Sequence, residues 1–447
     1  MAANALDDQG VQVPLTFMVD KERKKVLYAE AGKDFVDVLF KSNMEAVRFG
    51  SISSLYLSVS DLDAQYLWSN TCRKMLLNPR NSMEAYCQKM KLNIDETECL
   101  QFFLCDDDSY QNCICGKLLN VMRTRQSTTD NGFVNESSTF IISDDLFVRP
   151  NHLGTSLNLL QNLGINDFDD IDKQIVNISK KEACFLSFYI IDLLKFSLLS
   201  KSPLSDFIFK KEHFVGNLDP RNRLEFWIGE VEEPCNESDE MVVKVVRRKS
   251  NEQILFVEGD ENFSDFILSF LTIPLGGVVL MFEGLSFLCC MDNLYNSMTE
   301  LNPDRCLRSQ YVKDRLCEPQ VGMHLELRNQ ILPIGETNSS GYIIHCKDHK
   351  KEVIFVDPKS PISGGFLRGP TSFMVTDDLV VSPMSLISGL AYLERMKVPL
   401  NDVEERVIRI GVKEGLSILK ASLTSTSSLT NGLSLSIMEQ FLYQNYL

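Results

Sequence analysis

Two segments of eleven residues are nearly the same in this chain, FIISDDLFVRP at 140–150 and FMVTDDLVVSP at 373–383. In each segment a Ser or Thr and a pair of aspartates separate two short apolar runs. This pattern predicts a strand, a tight turn and a second strand, because Asp side chains bond nearby backbone amides and a hairpin needs polar residues at its tip. Adjacent carboxylates can also act as a general acid and base or bind a metal, and that alternative stays open.

Five further pairs of segments recur in the same order, which indicates two homologous halves. The first half spans 10–212, an acidic linker spans 213–240, and the second half spans 241–447. Each half is far longer than a solenoid unit, so the pattern favours a domain duplication. The first half is shortened after Phe40, where the second half has FLTIPLGGVV. The other matched pairs are KKVLYAEAGKDFVDVLF with NEQILFVEGDENFSDFIL, SLYLSVSDL with NLYNSMTEL, YLWSNTCRKMLLNP with CLRSQYVKDRLCEP, DIDKQIVNISKKE with DVEERVIRIGVKE, and LLKFSLLSKSPLSD with ILKASLTSTSSLTN.

The remaining periodicities are mixed and predict an α+β fold. VPLTFMV and KKVLYAE flank the polar stretch DKERK, which predicts a hairpin. DFVDVLF has apolar groups at helical spacing, and Asp34 is a candidate cap at its start. The segments NHLGTSLNLLQNLG and MSLISGLAYLERMK are typical of amphipathic helices, and VNI and VIRI of short strands. The apolar run at 266–282 contains Pro274 and a Gly pair, which favours a buried helix, a turn and a buried strand over a membrane span.

The composition disfavours several classes of protein. Lys and Arg number 45 against 61 Asp and Glu, and the formal charge of -16 would repel nucleic acid. The N-terminal MAANALDDQGVQVPLTF lacks a charged region followed by an apolar one, which predicts a cytoplasmic or nuclear protein rather than a secreted one. The 13 cysteines would then lie in a reducing compartment, where free thiols or metal ligands are favoured over disulfides.

Several long segments carry a resemblance to a known family. They are VDKERKKVLYAEAGKDFVDVLF, SISSLYLSVSDLDAQYL, KLNIDETE, FLTIPLG, FLRGPTSFMVTDDLVVSPMS and VPLNDVEERVIRIGVKEGLSILKASLTSTSSLTNGL, and together they cover most of the chain. The sequence resembles the plant family catalogued as domain of unknown function 674. The resemblance supports the duplicated architecture and implies no activity, cofactor or partner. After FVDVLF this chain reads KSNMEAVRFG, where that family usually has residues like FSFLTLPLG.

The segment FFLCDDDSYQNCICGKLL is the best candidate for a metal site. Cys105, Cys113 and Cys115 cluster in it, and a glycine follows the last one, as the tight turn of a zinc knuckle requires. Cys87 or Cys99 is a candidate fourth ligand. A paired CxxC motif is absent, so free loop thiols are the alternative. A structural zinc here would hold the loop folded without implying catalysis.

Other polar residues carry weaker signals. No P-loop, GxGxxG, HExxH or Ser-His-Asp pattern is evident. His152 and Cys184 lie in apolar segments, which predicts buried packing. The Ser/Thr-rich stretch 422–433 could accept phosphate but is typical of a loop. Four acidic residues recur at matching positions and are interpreted as helix N-terminal or rim charges, with a pairing across a pseudo-twofold axis as the alternative: Glu30, Glu258, Asp37 and Asp265.

The leading hypothesis for function is a non-enzymatic protein whose two α+β halves present surfaces to a protein partner, with no nucleic acid and no membrane involved. The alternative is an enzyme or a small-molecule-binding protein with a site between the two halves, where duplicated folds often place ligands. The two hypotheses differ on four aspartates. Convergence in one pocket with a His or Cys would favour the enzyme, and separate turns would disfavour it, for Asp144, Asp145, Asp377 and Asp378.

Overall fold

A computed structural model describes most of the chain outside three long gaps at 80–131, 180–192 and 210–239. The described residues are 12–42, 50–79, 132–165, 167, 169, 171–179, 193, 196–198, 200–209, 240–282, 289–319, 321, 325, 327–334, 343–345, 350–352, 359–360 and 364–446. The acidic linker therefore lies outside the described residues, apart from Glu240.

Both halves contain pairs of strands separated by groups of helices. The first half contains β1 Gln12–Asp20, β2 Lys25–Gly32, α1 Lys33–Ser42, α2 Ser51–Asp61, α3 Asn70–Leu77, β3 Thr139–Ser143, β4 Val148–Pro150, α4 Leu153–Asn162, β5 Ile171–Ser179 and α5 Pro203–Ile208. The second half contains β6 Met241–Arg248, β7 Ile254–Gly259, α6 Glu261–Ser269, α7 Leu275–Met281, α8 Cys289–Glu300, α9 Gln310–Cys317, β8 Ile343–His345, β9 Lys350–Glu352, β10 Phe373–Thr376, β11 Val381–Pro383, α10 Leu386–Arg395, β12 Val403–Ile410, α11 Val412–Thr424 and α12 Ser428–Tyr446.

Each half builds one antiparallel five-stranded sheet. The strand orders are β4-β3-β2-β1-β5 and β11-β10-β7-β6-β12, so corresponding strands occupy corresponding places. The predicted α+β class is confirmed. In both sheets the first hairpin has a register shift near its tip, between Met18 and Val19 and between Val246 and Arg247. A bulge of this kind twists a hairpin locally and fixes its register.

One helix covers the outer face of each sheet. In the first half Leu160 of α4 packs with Leu27, Tyr28 and Ile141. In the second half Tyr392 and Leu393 of α10 pack with the outward side chains of β6, β7 and β10. Burying an aliphatic side chain of this size contributes roughly 1.5–3 kcal/mol. The apolar face predicted for NHLGTSLNLLQNLG and MSLISGLAYLERMK is therefore only partly used against the sheets.

The inner faces of the two sheets contribute to a single hydrophobic core. Elements also cross between halves, since α8 packs against β4, and α2 packs against β11 and α11. Ser297 Oγ of α8 accepts a hydrogen bond from Val148 N (2.7 Å), and Ser51 N of α2 donates to Ser425 O (3.0 Å). Each half thus completes the packing of the other.

Two short antiparallel bridges also connect the halves, through backbone pairing. Leu67 pairs with Leu367, and Val134 pairs with Leu307. Leu67 follows α2 and Leu367 precedes β10, whereas Leu307 follows α8 and Val134 precedes β3, so the two bridges are made by corresponding segments of the two halves. Because these are backbone contacts, they persist across most side-chain substitutions and hold the halves in a fixed register.

The apolar run at 266–282 differs from its prediction. The first part forms the end of α6 as expected, but the second part forms the short helix α7 instead of a strand. Pro274 stands at the position that caps α7, where its fixed φ suits a helix start. The run is almost entirely buried, so it has no polar periodicity to distinguish a helix from a strand.

Three smaller predictions also need correction. Asp34 lies in the first turn of α1, which begins at Lys33, so it is not the residue before the helix. His152 is exposed immediately before α4 and does not pack in the core. The stretch 422–433 is mostly helical, since α11 ends at Thr424 and α12 begins at Ser428. Within the described ranges, none of the helices has the length and apolar content needed to cross a bilayer.

Candidate functional site

The first Asp-Asp segment forms the predicted hairpin tip between β3 and β4. Ser143 Oγ accepts a hydrogen bond from Phe147 N (3.1 Å) and donates one to Asp145. Leu146 completes the turn with a φ of 63°, a left-handed conformation that costs a residue with a Cβ roughly 1–2 kcal/mol. Its side chain is fully buried, and that burial offsets the cost.

The second Asp-Asp segment forms the same turn between β10 and β11. Thr376 Oγ1 accepts from Val380 N (3.0 Å) and donates to Asp378 Oδ1 (2.5 Å). Leu379 has a φ of 64° and is fully buried, as Leu146 is. The second aspartate of each pair therefore stabilises the turn through a Ser or Thr hydroxyl, which is the structural alternative that the sequence favoured.

The first aspartate of each pair has a different task. Asp144 is buried and accepts two hydrogen bonds from one residue in the first turn of α5, from Ser205 N (2.8 Å) and Ser205 Oγ (2.7 Å). The same Ser205 Oγ accepts a bond from Val26 N at the start of β2 (2.8 Å). The three groups form a chain that joins the hairpin tip, a helix and the sheet.

The second half repeats this chain of contacts with threonine in place of serine. Asp377 accepts from Thr430 N (2.8 Å) and Thr430 Oγ1 (2.9 Å), and Thr430 Oγ1 accepts from Ile254 N (2.9 Å). Burial raises the pKa of Asp377 to about 6, against the lowering effect of the bonds from Thr430. Burial also raises the pKa of Asp144 above its usual range. We name these two sets of contacts the carboxylate-hydroxyl clamps.

A second pair of aspartates holds the backbone that enters β3 and β10. Asp37 Oδ1 accepts from Phe133 N (2.7 Å) and Val134 N (2.9 Å), and its Oδ2 lies 2.6 Å from Lys33 Nζ. Gly132, with a φ of 86°, approaches so closely that a Cβ there would overlap the Asp37 carboxylate. Asp37 is buried, so its interpretation as a rim charge is wrong.

Asp265 makes the corresponding contacts in the second half. Its Oδ1 accepts from Phe366 N (3.0 Å) and Leu367 N (2.9 Å). Burial raises the pKa of Asp265 to about 8, although these amides and the charge of Lys359 act in the opposite direction. Asp265 is likewise buried. Glu30 and Glu258 are half-buried, and Glu258 Oε2 lies 3.1 Å from Lys244 Nζ, as a charge on the sheet rim would.

The structure does not bring the four turn aspartates together. Each pair lies at its own hairpin, and each clamp closes within its own half. None of the hydrogen bonds that the described residues make to these aspartates involves a histidine or a cysteine. The condition that would have favoured a shared catalytic pocket is therefore not met by the described residues.

One cavity lies beside the first acidic turn. Its volume is about 320 Å³, and every residue around it belongs to the first half. Three basic and two acidic side chains line it, together with an apolar wall. The lining residues are Lys25, Val26, Leu27, Ile141, Ser143, Asp144, Asp145, Phe147, Arg149, Leu159, Asn162, Leu163, Lys201 and Ser202. No sequence motif indicates this cavity, because its residues come from separate segments.

Both outer helices expose apolar side chains to solvent. On α10, Leu386 is 78% exposed, Ile387 80% and Leu390 48%. On α4, Leu153 is 76% exposed and Leu157 40%. Leu153 and Leu157 stand at the same distance after Pro150 as Leu386 and Leu390 do after Pro383. We name the exposed side chains of α10 the α10 face.

The predicted zinc ligands Cys105, Cys113 and Cys115 lie outside the described residues, as do Cys87 and Cys99. The structure therefore does not test this prediction. Among the residues that are described, no group of three or more His, Cys, Asp or Glu side chains could hold a metal ion. Four cysteines in the described part of the chain form no disulfide, and three of them are buried: Cys72, Cys290 and Cys306, with Cys317 half-buried.

Comparison with known proteins gives one result. Searches of curated proteins and of solved structures returned no match. A family described as "Protein of unknown function (DUF674)" matches residues 9–413, which includes both sheets, both hairpin tips and the cavity. The chain therefore belongs to the DUF674 family of proteins of unknown function.

Proposed function

We propose that the protein acts by binding another protein and that the α10 face is the contact surface. The observation that supports this is the exposure of Leu386, Ile387 and Leu390 side by side on one helix. Single exposed apolar residues are common, but adjacent ones on a rigid element are typical of interaction sites. The helix is anchored from behind by Tyr392 and Leu393, so its exposed side keeps a fixed shape.

The shape of the α10 face favours a helical partner segment. Its apolar side chains follow the helix axis at positions one and four apart, and exposed Glu394, Arg395 and Lys397 follow at its C-terminal end. An apolar strip with a charged end matches an amphipathic helix that carries the complementary pattern. Charged groups at the end would fix the direction in which such a helix lies.

We also infer that the two halves arose by duplication of one unit. The supporting observations are the common strand order and the carboxylate-hydroxyl clamp in each half. A matched turn with a left-handed leucine in both hairpins adds to them, since such a conformation is uncommon outside glycine. A duplicated unit would explain why α4 exposes leucines where α10 does.

The test uses the double variant Leu386→Glu/Ile387→Glu in the full chain. A matched control is Leu57→Glu on α2, an exposed leucine (61%) that is not part of the α10 face. Both proteins and the wild type are immobilised, and proteins captured from the native tissue are quantified by mass spectrometry. The proposal expects a stoichiometric partner that is lost by the double variant and retained by Leu57→Glu.

Two results would contradict the proposal. One is a set of captured proteins that the double variant leaves unchanged. The other is a wild-type protein that is dimeric by light scattering and becomes monomeric in the double variant, because the α10 face would then bind a second copy of the chain. Circular dichroism of the variants checks that the loss of capture does not come from unfolding.

A further inference from the structure

We propose that the cavity beside the first acidic turn binds a small organic anion, a carboxylate or phosphate ester that carries an apolar group. This site is separate from the α10 face and does not depend on a protein partner. Its volume of about 320 Å³ lies at the lower end of the range that small-molecule sites occupy. A ligand of this size would contact both the basic side chains and the apolar wall.

Three cations from three different segments meet at this cavity. Lys25 is the first residue of β2, Arg149 lies in β4, and Lys201 precedes α5. The ion pairs formed by the described residues include none of the three. The Arg149 guanidinium lies 4.5 Å from the centre of the Phe147 ring, which holds it beside the cavity. In a chain with a formal charge of -16, this concentration of positive charge is a local exception.

The second half shows that the fold does not need these cations. Counted from the clamp residues, Lys25 corresponds to Gln253, Arg149 to Ser382 and Lys201 to Thr426. The same hairpin, turn and clamp form there with neutral side chains. A structural role would require the charge in both halves, whereas a ligand bound only in the first half would require it only there.

One side chain explains why the space is open in the first half. Tyr392 stands nine residues after Pro383, and Leu159 stands nine residues after Pro150. The Tyr392 ring packs edge-on against Phe256 of β7, with the ring centres 5.9 Å apart, and lies in one buried cluster with Met374 of β10. Leu159 is shorter and lines the cavity. The position that a tyrosine fills in one half is left for a ligand in the other.

The two aspartates of the lining do not cancel the basic side chains. Both carboxylate oxygens of Asp144 accept hydrogen bonds from Ser205, and Asp145 accepts one from Ser143. The negative charge of these two carboxylates is therefore partly compensated by hydrogen-bond donors of the protein. The three cations also outnumber them, so the lining keeps a net positive charge that would bind one oxyanion. Leu27, Ile141 and Leu163 form the apolar wall for the rest of the ligand.

The test is calorimetric titration of the full chain with phenyl phosphate and with phenylacetate, beside inorganic phosphate and the neutral benzyl alcohol. The proposal expects saturable binding of at least one aromatic anion, weaker binding of inorganic phosphate and little of the alcohol. The two aromatic anions distinguish a phosphate ester from a carboxylate. Absence of saturable binding for both at concentrations up to about 10 mM, where even weak sites fill, would overturn the proposal.

Three variants take their residues from the second half. Leu159→Tyr should fill the cavity and weaken binding by at least about tenfold, because the ligand and the ring cannot occupy one space. The double change Lys25→Gln/Arg149→Ser should weaken it by a similar factor and reduce its dependence on salt. The control Leu390→Tyr places the same ring on α10, away from the cavity, and should leave binding unchanged. Equal affinity in Leu159→Tyr and the wild type, with both folded by circular dichroism, would mean that the anion binds elsewhere.

Discussion

Substitution of Thr430 by valine removes one hydroxyl from the centre of the second carboxylate-hydroxyl clamp while almost preserving the side-chain volume. Two buried partners lose a bond, since Thr430 Oγ1 accepts from Ile254 N (2.9 Å) and donates to Asp377 (2.9 Å). An orphaned buried amide costs roughly 1–3 kcal/mol, and a lost bond to a charged acceptor roughly 1.5–3 kcal/mol. Asp377 keeps its bond from Thr430 N (2.8 Å). Thr430→Val should therefore lower the free energy of unfolding by about 3–4 kcal/mol at neutral pH.

The loss should depend on pH. The pKa of Asp377 is raised to about 6, so its carboxyl is mostly ionised at pH 7.5 and mostly protonated at pH 5. A protonated carboxyl needs the hydroxyl donor less, and the difference in free energy of unfolding between wild type and Thr430→Val should therefore be smaller at pH 5. Urea unfolding followed by circular dichroism at both values measures it.

Two matched variants separate the clamp from the general effect of substitution. Thr430→Ser keeps the hydroxyl, as Ser205 does in the first half, and should cost only about 1 kcal/mol for the lost methyl group. Thr299→Val removes a hydroxyl from an exposed site on α8 and should change stability by less than about 0.5 kcal/mol. A Thr430→Val protein that unfolds within the range of these two controls would refute the reasoning.

Three more predictions follow from the buried carboxylates and from the exchange between halves. Asp265 has a pKa near 8 in the folded protein and an ordinary one when unfolded, so its share of stability is complete at low pH and is lost as pH rises toward 8. Wild-type stability should fall over this range by up to about 1.4 kcal/mol per pH unit more than that of Asp265→Asn, and equal slopes in urea unfolding would contradict this. Gly132→Ala should destabilise by at least about 2 kcal/mol, because the new Cβ meets the Asp37 carboxylate at a left-handed φ, whereas Gly32→Ala, which has open space, should be nearly neutral in the same assay. Residues 1–212 and 241–447 expressed separately should each lack cooperative unfolding in calorimetry and recover it on co-expression, since α8 and α2 pack on the opposite halves, and independent cooperative folding of either would count against the shared core.

Local chemistry made much of this fold predictable. The hairpin tips were predicted because a Ser or Thr and two aspartates separate two apolar runs, and in the structure the Ser143 hydroxyl closes the turn by bonding Phe147 N and Asp145. Strands β5 and β12 and helices α4 and α10 were found because their apolar residues have a clear period. Neighbours in sequence determine such features, so a single sequence contains the necessary information.

The features that sequence missed depend on residues far apart in the chain. Asp144 is separated from Ser205 by 61 residues, and no pattern near Asp144 indicates that it is buried or paired. The cavity is lined in part by Leu159 of an outer helix, and its cations are dispersed in sequence between Lys25 and Lys201. α7 was missed for a different reason, because a run that is almost entirely buried has no periodic alternation of polar and apolar residues.

The two clamps give a physical reason why the Asp-Asp segments are the most similar parts of the two halves. At the first aspartate, one side chain must accept an amide and a hydroxyl with two oxygens while the hairpin tip stays tight. Asparagine offers one acceptor oxygen, and glutamate has a longer chain that would move both atoms. At the second aspartate, the hydroxyl before it must accept an amide and donate to the carboxylate at once. Each of these positions thus tolerates very few residues. The side chains of Lys25 and Leu159 make none of the hydrogen bonds of the turns or clamps, so these positions can differ between the halves. The differences between the halves around the cavity therefore fall at positions where neither the turns nor the clamps restrict the side chain.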